Sequence, residues 1–207
     1  MPRMIDMSTF PRRAHFAHFT SMANPFVGVT VNVDVTPLVR RCQARKESFY
    51  LMMIHLTALA ADAVPQLRQR IRDGDIVEYE HCPTSHTELL EDESYCYCTL
   101  RHEMPMEDYA PYAEAVRERA LQNASLEEED DVESMYFISC LPWLHYTSFT
   151  QPTGGDSNPR FAWGKWEQDA RGRLMLPYTL LAHHALVDGL HMARFFERLQ
   201  QEILAMA

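Results

Sequence analysis

The segment YTLLAHHALVDGLHMARFFERLQ, residues 178–200, carries the most informative pattern in the chain. Its first part is an apolar run typical of a buried strand. Its last part places Phe195 and Leu199 at helical spacing, which indicates an amphipathic helix. Between them stands HHALVDG, residues 183–189. The segment therefore predicts a strand, a tight turn that begins with two histidines, and a helix that packs on the core.

Outward from this segment, the chain alternates between strand and helix patterns. Valine falls on every second position in 27–35, which predicts a half-buried strand. Thr36-Pro37 then predicts a helix start, with Thr36 as the cap and proline in the first turn. Further helices are expected at 48–64, 107–123 and 190–205, and further strands at 76–79, 94–101, 134–141 and 173–182. The order indicates a mixed α/β fold, with 1–207 forming a single domain.

Composition excludes several classes of protein. The 207 residues include 19 Lys and Arg against 29 Asp and Glu, a formal charge of −10 that would repel a nucleic-acid backbone. The longest apolar stretch, 51–64, is interrupted by His55 and Asp62 and is shorter than the roughly 20 residues of a membrane span. The N-terminus shows no export signal. We therefore expect no nucleic-acid or membrane partner and a cytoplasmic location.

The five cysteines do not form the spaced framework of a disulfide-rich protein, so reduced thiols are expected. Cys96 and Cys98, with Cys82, His81 and His86 upstream, suggest a zinc site. Tetrahedral ligand spacing is missing, however, and a C-x-C pair in a strand places both thiols on one face, where cysteine often packs as a small apolar residue. The sequence therefore predicts no metal.

The two histidines at the strand end are candidates for acid–base chemistry. A neutral imidazole with a pKa near 6.5 takes a proton from a hydroxyl or thiol at neutral pH, and a strand end holds the ring in a fixed orientation. Asp188 follows His184 by four residues, where the helix begins, so a role as helix cap is expected for it. The pattern favours a general base at this turn.

The same run resembles the HHxxxDG signature of acyl-CoA-dependent transferases. The resemblance to the chloramphenicol acetyltransferase family extends along most of the chain, in order. The run Arg12-Arg13-Ala14-His15-Phe16 is similar to the family's R[KR]EHF opening, and FIS at 137–139 followed by Pro142-Trp143 is similar to its FISxxPW run. The resemblance implies a mixed sheet with packed helices in a two-layer sandwich.

The resemblance also implies the roles of individual residues. His184 matches the base that deprotonates the acceptor hydroxyl, which then attacks the thioester of acetyl-CoA. Ser139 matches the serine that stabilises the oxyanion. Asp188 and Arg12 match a buried ion pair that braces the active-site loop. The family's members are homotrimers with active sites between subunits, so the same assembly is expected here.

The chain departs from the family at the acceptor site. Ala162 stands where the family has a threonine that positions a water molecule. The segment HCPTSHT, 81–87, replaces an aromatic stretch, so Thr84 and His86 are candidate pocket residues, with Trp163 as a candidate channel wall. Since apolar contacts are lost, poor acetylation of chloramphenicol and a preference for a more polar hydroxyl compound are expected.

Other interpretations stay open. One is an acyltransferase of the same fold that acts on a different alcohol, sugar or thiol, and another is a non-catalytic ligand-binding relative. A serine hydrolase is disfavoured because Ser139 lies outside any G-x-S-x-G motif. The remaining histidines discussed are expected to be hydrogen-bonded core groups: His15, His18, His55, His145, His183 and His191. Trp143 and Trp166 are expected in the core or at an interface.

Overall fold

A computed structural model of the protein describes residues 2–128 and 131–206. These residues contain five α-helices: α1 (Arg13–Thr20), α2 (Thr36–Arg45), α3 (Phe49–Asp62), α4 (Met106–Gln122) and α5 (Gly189–Leu204). The strands are β1 (Arg3–Met4), β2 (Phe26–Asp34), β3 (Gln69–Arg72), β4 (Asp75–Glu78), β5 (Thr84–Leu89), β6 (Tyr95–Leu100), β7 (Tyr136–Cys140), β8 (Arg160–Trp163), β9 (Glu167–Gln168) and β10 (Leu174–His183). The architecture is mixed α/β, as the sequence predicts.

The strands form two sheets. The larger has the order β2-β10-β8-β7-β5-β6, with β9 paired to β10. Its β5, β7 and β8 run parallel to one another, whereas β2, β10 and β6 pair antiparallel to their neighbours. The smaller sheet has the order β1-β4-β3. The strand β10 is therefore an interior strand with a neighbour on each side, and its end leads into the two histidines.

One face of the large sheet packs against helices to form the core. On this face Phe195 of α5 lies over Phe161 and Tyr178, with ring centroids 5.1 and 5.8 Å apart. The hydroxyl of Thr57 in α3 lies 2.8 Å from that of Tyr178. The opposite face carries Ser139, Ala162, Thr179 and Thr30 in neighbouring register positions. The core thus lies on one face of the sheet, and the more polar face borders the smaller cavity described below.

Local sequence sets most element ends. Ser48 caps α3 by accepting a hydrogen bond from the Leu51 N–H, so the helix expected over 48–64 begins at Phe49. The prediction of Thr36 as the cap of α2 is wrong. Val35 occupies that position, and the Thr36 hydroxyl instead donates to Asp34 and accepts from the Leu174 N–H. The Thr36 hydroxyl thus links the start of α2 to β10 rather than capping the helix.

The acidic run 127–131 is described only in part, since Glu129 and Asp130 lie outside the described residues. Within the described part, Glu127 and Asp131 are exposed, as expected of a solvated loop. Glu128 differs, because it accepts hydrogen bonds from the hydroxyls of Ser85 and Thr99. No helix in the described ranges combines the length and apolar character needed to cross a membrane.

Candidate active site

The turn after β10 holds His184 in a fixed place. The strand pairs His183 with Phe26 at the end of β2, and the next backbone N–H, that of His184, donates to the Pro25 carbonyl at 2.8 Å. The His184 ring stacks on Phe19 of α1 with centroids 3.9 Å apart and planes at 23°. Strand pairing and aromatic stacking therefore leave the imidazole little rotational freedom.

The hydrogen bonds of His184 also fix its tautomer. The Nδ1 atom lies 2.9 Å from the Val187 carbonyl oxygen. Because a carbonyl only accepts, Nδ1 carries the proton and Nε2 keeps its lone pair. Throughout the described parts of the chain no group hydrogen-bonds to Nε2. The side chain is thus arranged as a proton acceptor at Nε2.

Arg12 braces the backbone of this turn. Its guanidinium donates to the carbonyls of His184 at 3.2 Å and Leu186 at 3.4 Å. It also forms an ion pair with Asp188 at 2.8 Å. Asp188 in turn caps α5 by accepting from the Leu190 N–H, and His191 Nδ1 accepts from the Asp188 N–H. Asp188 therefore serves as helix cap and ion-pair partner at once.

The ion pair is not buried within the chain, contrary to the prediction. The Asp188 side chain is 39% exposed and that of Arg12 is 17% exposed. The reason is that the cap of a helix that starts at the surface keeps one side of its carboxylate in water. An exposed pair contributes less to stability than a buried one, so the expected loss on breaking it falls from about 3–5 to about 1 kcal/mol.

We expect Asp188→Asn to affect activity more than stability. Asparagine caps helices as well as aspartate does, so only the charge on Arg12 loses its partner. The expected melting temperature falls by about 4 °C or less, since 1 kcal/mol shifts Tm by about 2–4 °C at this chain length. Turnover should fall by up to about 10²-fold because the His184 turn loses its brace.

Calorimetry and steady-state kinetics on the purified variant check this result. Asp169→Asn is the matched control, because Asp169 pairs with Arg173 at 2.7 Å away from the turn. Parental turnover in Asp188→Asn would show that the charge of Asp188 is not needed to hold the His184 turn in place. A fall in Tm of many degrees would instead show that the ion pair contributes as much to stability as a buried pair does.

The pH dependence of this contact follows from its charges. Partial burial raises the pKa of Asp188, but His191, Arg12 and the Leu190 N–H outweigh it, so the folded-state pKa lies below the ordinary 3.8. A carboxyl with a lowered pKa stabilises the fold in its ionised form. This contribution is fully present above pH 3.8 and is lost as the pH falls through the folded-state pKa.

Ser139 lies in a different place from His184. It is half-buried near the end of β7 and borders a cavity of about 490 Å³. Aromatic residues of β6, β7 and the following loop form part of its wall: Tyr95, Tyr97, Phe137 and Phe149. Polar side chains complete it: Ser85, Thr87, Glu128, Gln151 and Arg160. The cavity can hold a small amphipathic molecule beside the serine hydroxyl.

The predicted pocket residues lie only partly at this cavity. His86 borders it, but its ring is buried between Tyr50 and Glu88 on the core face. Thr84, 1% exposed, also lies on the core side, where its hydroxyl donates to the Leu100 carbonyl. Because side chains alternate along β5, Ser85 and Thr87 reach the cavity instead. The assignment of Thr84 to the acceptor wall differs from the structure for this reason.

Ala162 is also sealed from the cavities. It is 2% exposed, and its carbonyl accepts from the Tyr146 hydroxyl at 2.9 Å. That hydroxyl also lies 3.2 Å from the hydroxyl of Thr179. Tyr146 therefore supplies a hydroxyl next to the position where the family's threonine is missing. No pattern in the sequence predicts this contact, because Tyr146 lies sixteen residues earlier in a loop.

A second, larger cavity of about 860 Å³ lies at the end of β7 and β8. Trp163, the candidate channel wall, borders it, although most of its ring is buried and stacks on Tyr178. Lys165 supplies a cation, and the other main walls are aromatic or apolar: Phe49, Tyr50, Trp143 and Trp166. Trp143 is 67% exposed, so it is not a core residue. Cys140, the neighbour of Ser139, reaches this cavity.

Gly164 lets Lys165 reach that position. A Cβ atom at Gly164 would collide with the Leu144 carbonyl oxygen. The same carbonyl accepts from the Lys165 N–H at 2.7 Å. A close approach of two backbone segments thus fixes the cation at the edge of the larger cavity.

His184 and Ser139 are far apart within one chain. Ser139 pairs with Ala162, and Ala162 pairs with Thr179, so these three residues form a row across the sheet. His184 lies five residues beyond Thr179 in the direction of β10. With about 3.4 Å per residue and about 4.8 Å between strands, the Cα atoms of Ser139 and His184 are about 20 Å apart. One chain alone does not bring them to one reacting carbonyl.

The other histidines fall into a buried group and an exposed group. His55, His183 and His191 are buried, as expected, and burial lowers the pKa of His55 to about 4. His15, His18 and His145 are exposed, so the prediction of core positions is wrong for them.

Cys96 and Cys98 are buried together on the core face of β6, with the Cys96 thiol directed to the Ala120 carbonyl.

Comparison with known proteins places this geometry in a family. The model of the chloramphenicol acetyltransferase family matches residues 2–200. A chloramphenicol acetyltransferase from Klebsiella sp is 27% identical over 203 residues, covering 95% of this chain and 91% of that protein. Chloramphenicol acetyltransferase 2 of Escherichia coli is 28% identical over 201 residues, covering 95% and 94%.

A solved structure agrees with the sequence relatives. A chloramphenicol acetyltransferase superposes with a TM-score of 0.85 at 22% identity, over 97% of this chain and 99% of that one. The fold of this chain thus belongs to a known architecture. The chain belongs to the chloramphenicol acetyltransferase family, a family of acetyl-CoA-dependent O-acetyltransferases.

Proposed function

We propose that the protein transfers an acetyl group from acetyl-CoA to a hydroxyl of a small acceptor, with chloramphenicol the first acceptor to test and antibiotic resistance the role implied. The observation that carries the proposal is the lone pair at Nε2 of His184, which its Nδ1 bond to Val187 leaves free. In the reaction Nε2 takes the proton of the acceptor hydroxyl, and the hydroxyl oxygen attacks the thioester carbonyl.

Ser139 acts on the other side of the reacting carbon. As the attacking oxygen adds, the carbonyl oxygen becomes negatively charged, and the serine hydroxyl donates a hydrogen bond to it. The tetrahedral intermediate then collapses, the C–S bond breaks, and His184 returns its proton to the leaving thiolate. Support comes from the position of Ser139 at the wall of a cavity large enough for a small acceptor.

The active site is completed by a second copy of the chain. Support for this step is the separation of about 20 Å between His184 and Ser139 within one chain, which a single substrate does not span at its reacting carbon. A homotrimer with active sites between subunits joins the histidine of one subunit to the serine of the next. Light scattering should then give about 72 kDa, three times the chain mass of 24.1 kDa.

The larger cavity suits the acetyl donor. Its tryptophan and tyrosine walls offer faces on which an adenine ring or a pantetheine arm packs. Lys165 offers a positive charge to a phosphate in a chain whose net charge is −10. Of the acidic residues that border the cavity, Glu88 is already paired with Arg117 at 2.9 Å.

The acceptor cavity is more mixed than the sequence suggests. The segment 81–87 brings polar side chains, but β6 and β7 supply aromatic ones, so part of the apolar contact is restored. We therefore expect measurable acetylation of chloramphenicol and better turnover of a hydroxyl compound with additional polar groups. The polar partners available to it include Thr87, Gln151 and Arg160.

A thiol-release assay tests this function. Acetyl-CoA is offered with chloramphenicol, with polar hydroxyl compounds and sugars, and with small thiols. Acceptor-dependent release of free coenzyme A with a hydroxyl compound is the expected result. Preference for a thiol or sugar would reassign the acceptor, and release that is equal with and without any acceptor would replace the transferase by a thioester hydrolase.

A further inference from the structure

A cluster of one carboxylate and two imidazoles lies outside the acyl-transfer site. Asp62 is the last residue of α3, His81 lies between β4 and β5, and His102 follows β6. In the described residues this is the single group of three or more such side chains whose ligand atoms all lie within 4.8 Å of one another. None of the three borders the cavities at Ser139 and Cys140.

The three groups converge on one oxygen atom. His81 Nδ1 and His102 Nε2 each lie 2.8 Å from Asp62 Oδ2. The other carboxylate oxygen, Oδ1, accepts from the Tyr136 hydroxyl at 2.9 Å. The two imidazole rings stand at 78° with centroids 6.0 Å apart, which leaves space between their nitrogens. A carboxylate oriented by a second hydrogen bond and two convergent imidazoles is the arrangement of a metal ligand set.

We propose that Asp62, His81 and His102 form a site for a divalent transition metal of the zinc class. Zinc binds imidazole nitrogen at about 2.0–2.1 Å and carboxylate oxygen at about 2.0–2.2 Å, so neighbouring ligand atoms lie about 3.3 Å apart. The observed separation of 2.8 Å needs to open by only about half an ångström. Two nitrogen ligands select zinc, cobalt, nickel or copper over magnesium and calcium.

Exposure differs among the three side chains, and this leaves a coordination position open. His102 is 3% exposed and Asp62 is 11% exposed, whereas His81 is 48% exposed. The fourth ligand is therefore water from the solvent beside His81. His81 lies on a connection between strands, so it accommodates the small movement that the metal requires.

The second shell sets the strength of the site. His102 Nδ1 is buried and has no hydrogen-bond partner among the described residues. A hydrogen-bond partner at the second ring nitrogen of a ligand histidine typically changes metal affinity about 10–100-fold. Because His102 lacks this partner among the described residues, we expect the metal to be exchangeable. The guanidinium of Arg70 lies 5.5 Å from the centre of the Tyr136 ring, and this nearby positive charge also lowers the affinity for a metal cation. The metal stabilises a protein that already folds without it.

Zinc binding to the whole protein, stripped of metal with a chelator, tests the proposal. Titration against a coloured competing chelator should give one zinc ion per chain. His81→Ala and Asp62→Asn should each lower the affinity at least about tenfold. His15→Ala, which removes an exposed histidine far from the cluster in sequence, should leave it unchanged. Zinc at about 100 times Kd should raise Tm by about 5–10 °C in the parent.

Cobalt(II) identifies the ligands independently of stability. A tetrahedral cobalt site gives visible absorption, which His81→Ala should abolish in a folded protein. Equal zinc affinity in parent and His81→Ala would overturn the proposal. A sulfur-to-cobalt charge-transfer band would also overturn it, because it would place the metal on a thiol such as Cys82. Since His81 is half exposed, its replacement keeps the test valid even where Asp62→Asn fails to fold.

Discussion

Replacement of His184 by alanine is expected to lower kcat for acetyl transfer by about 10²–10⁴-fold. In the proposed reaction the imidazole accepts the proton, and its Nδ1 bond to the Val187 carbonyl leaves the lone pair of Nε2 free. Alanine keeps the strand pairing of the backbone, because the His184 N–H still donates to Pro25. The fold should therefore persist while proton transfer is lost.

Steady-state kinetics with circular dichroism measure both parts of this result. The loss of stacking on Phe19 should lower stability only modestly, because aromatic pairs contribute about 0.5–1.5 kcal/mol beyond their burial. His18→Ala is the matched control, since it removes an exposed histidine from the helix that carries Phe19. A folded His184→Ala protein that turns over acceptor at the parental rate would exclude His184 as the base.

Replacement of Ser139 by alanine is expected to lower kcat by about 10²–10³-fold, with a much smaller change in KM. In the proposed mechanism the hydroxyl donates most strongly to the substrate oxygen once negative charge has developed there, so its loss affects the transition state rather than binding. The change of one oxygen atom at a half-buried position at the edge of a cavity leaves packing almost intact.

Initial rates at varied acetyl-CoA and acceptor concentrations separate the two parameters. Ser85→Ala is the informative comparison, because Ser85 borders the same cavity but points to Glu128. It should change KM for the acceptor more than kcat. If Ser139→Ala changes KM alone, Ser139 is a binding residue and the oxyanion has another donor.

Much of the fold follows from local patterns. The alternating valines of β2, the capped helix α3 and the strand–turn–helix unit of β10 and α5 lie within a residue or two of their predicted bounds. In each of these elements the apolar period and the turn chemistry agree, so local and tertiary preferences do not compete.

The strand β5 shows why the rest could not be predicted. Its residues, TSHTEL, are mostly polar, yet it is an interior strand of the large sheet, between β7 and β6. Glu88 tolerates burial because Arg117 on α4 pairs with it at 2.9 Å, and the Tyr50 hydroxyl donates to the Thr87 carbonyl. Partners so distant in sequence leave no periodic signal. Burial on the core side is also why Thr84 does not reach the acceptor cavity.

The site was predictable in its parts rather than in its arrangement. Order along the chain indicates His184, Ser139 and the contact of Arg12 with Asp188. The order along the chain does not reveal that His184 and Ser139 lie far apart. The path between them crosses from β7 over β8 to β10 and then runs five residues along the chain. The cluster of Asp62, His81 and His102 escapes for a related reason, because these residues come from three separate segments without a ligand spacing motif.

The central claim is that each active site combines His184 of one subunit with Ser139 of another. Mixed oligomers of two inactive variants test it most directly. His184→Ala and Ser139→Ala chains, carrying different tags, are produced together in equal amounts, and hybrid oligomers are purified through both tags. A site that takes its histidine from a Ser139→Ala chain and its serine from a His184→Ala chain is complete.

In a trimeric ring that contains both variants, one site of the three is complete in this way, so about a third of the parental activity should return in the purified hybrids. Each variant alone, treated identically, should keep no more than about 1% of the parental kcat. Recovery to about a third is the result that we predict. Hybrid oligomers that stay as inactive as the two separate variants would contradict the account and place the whole active site within one chain.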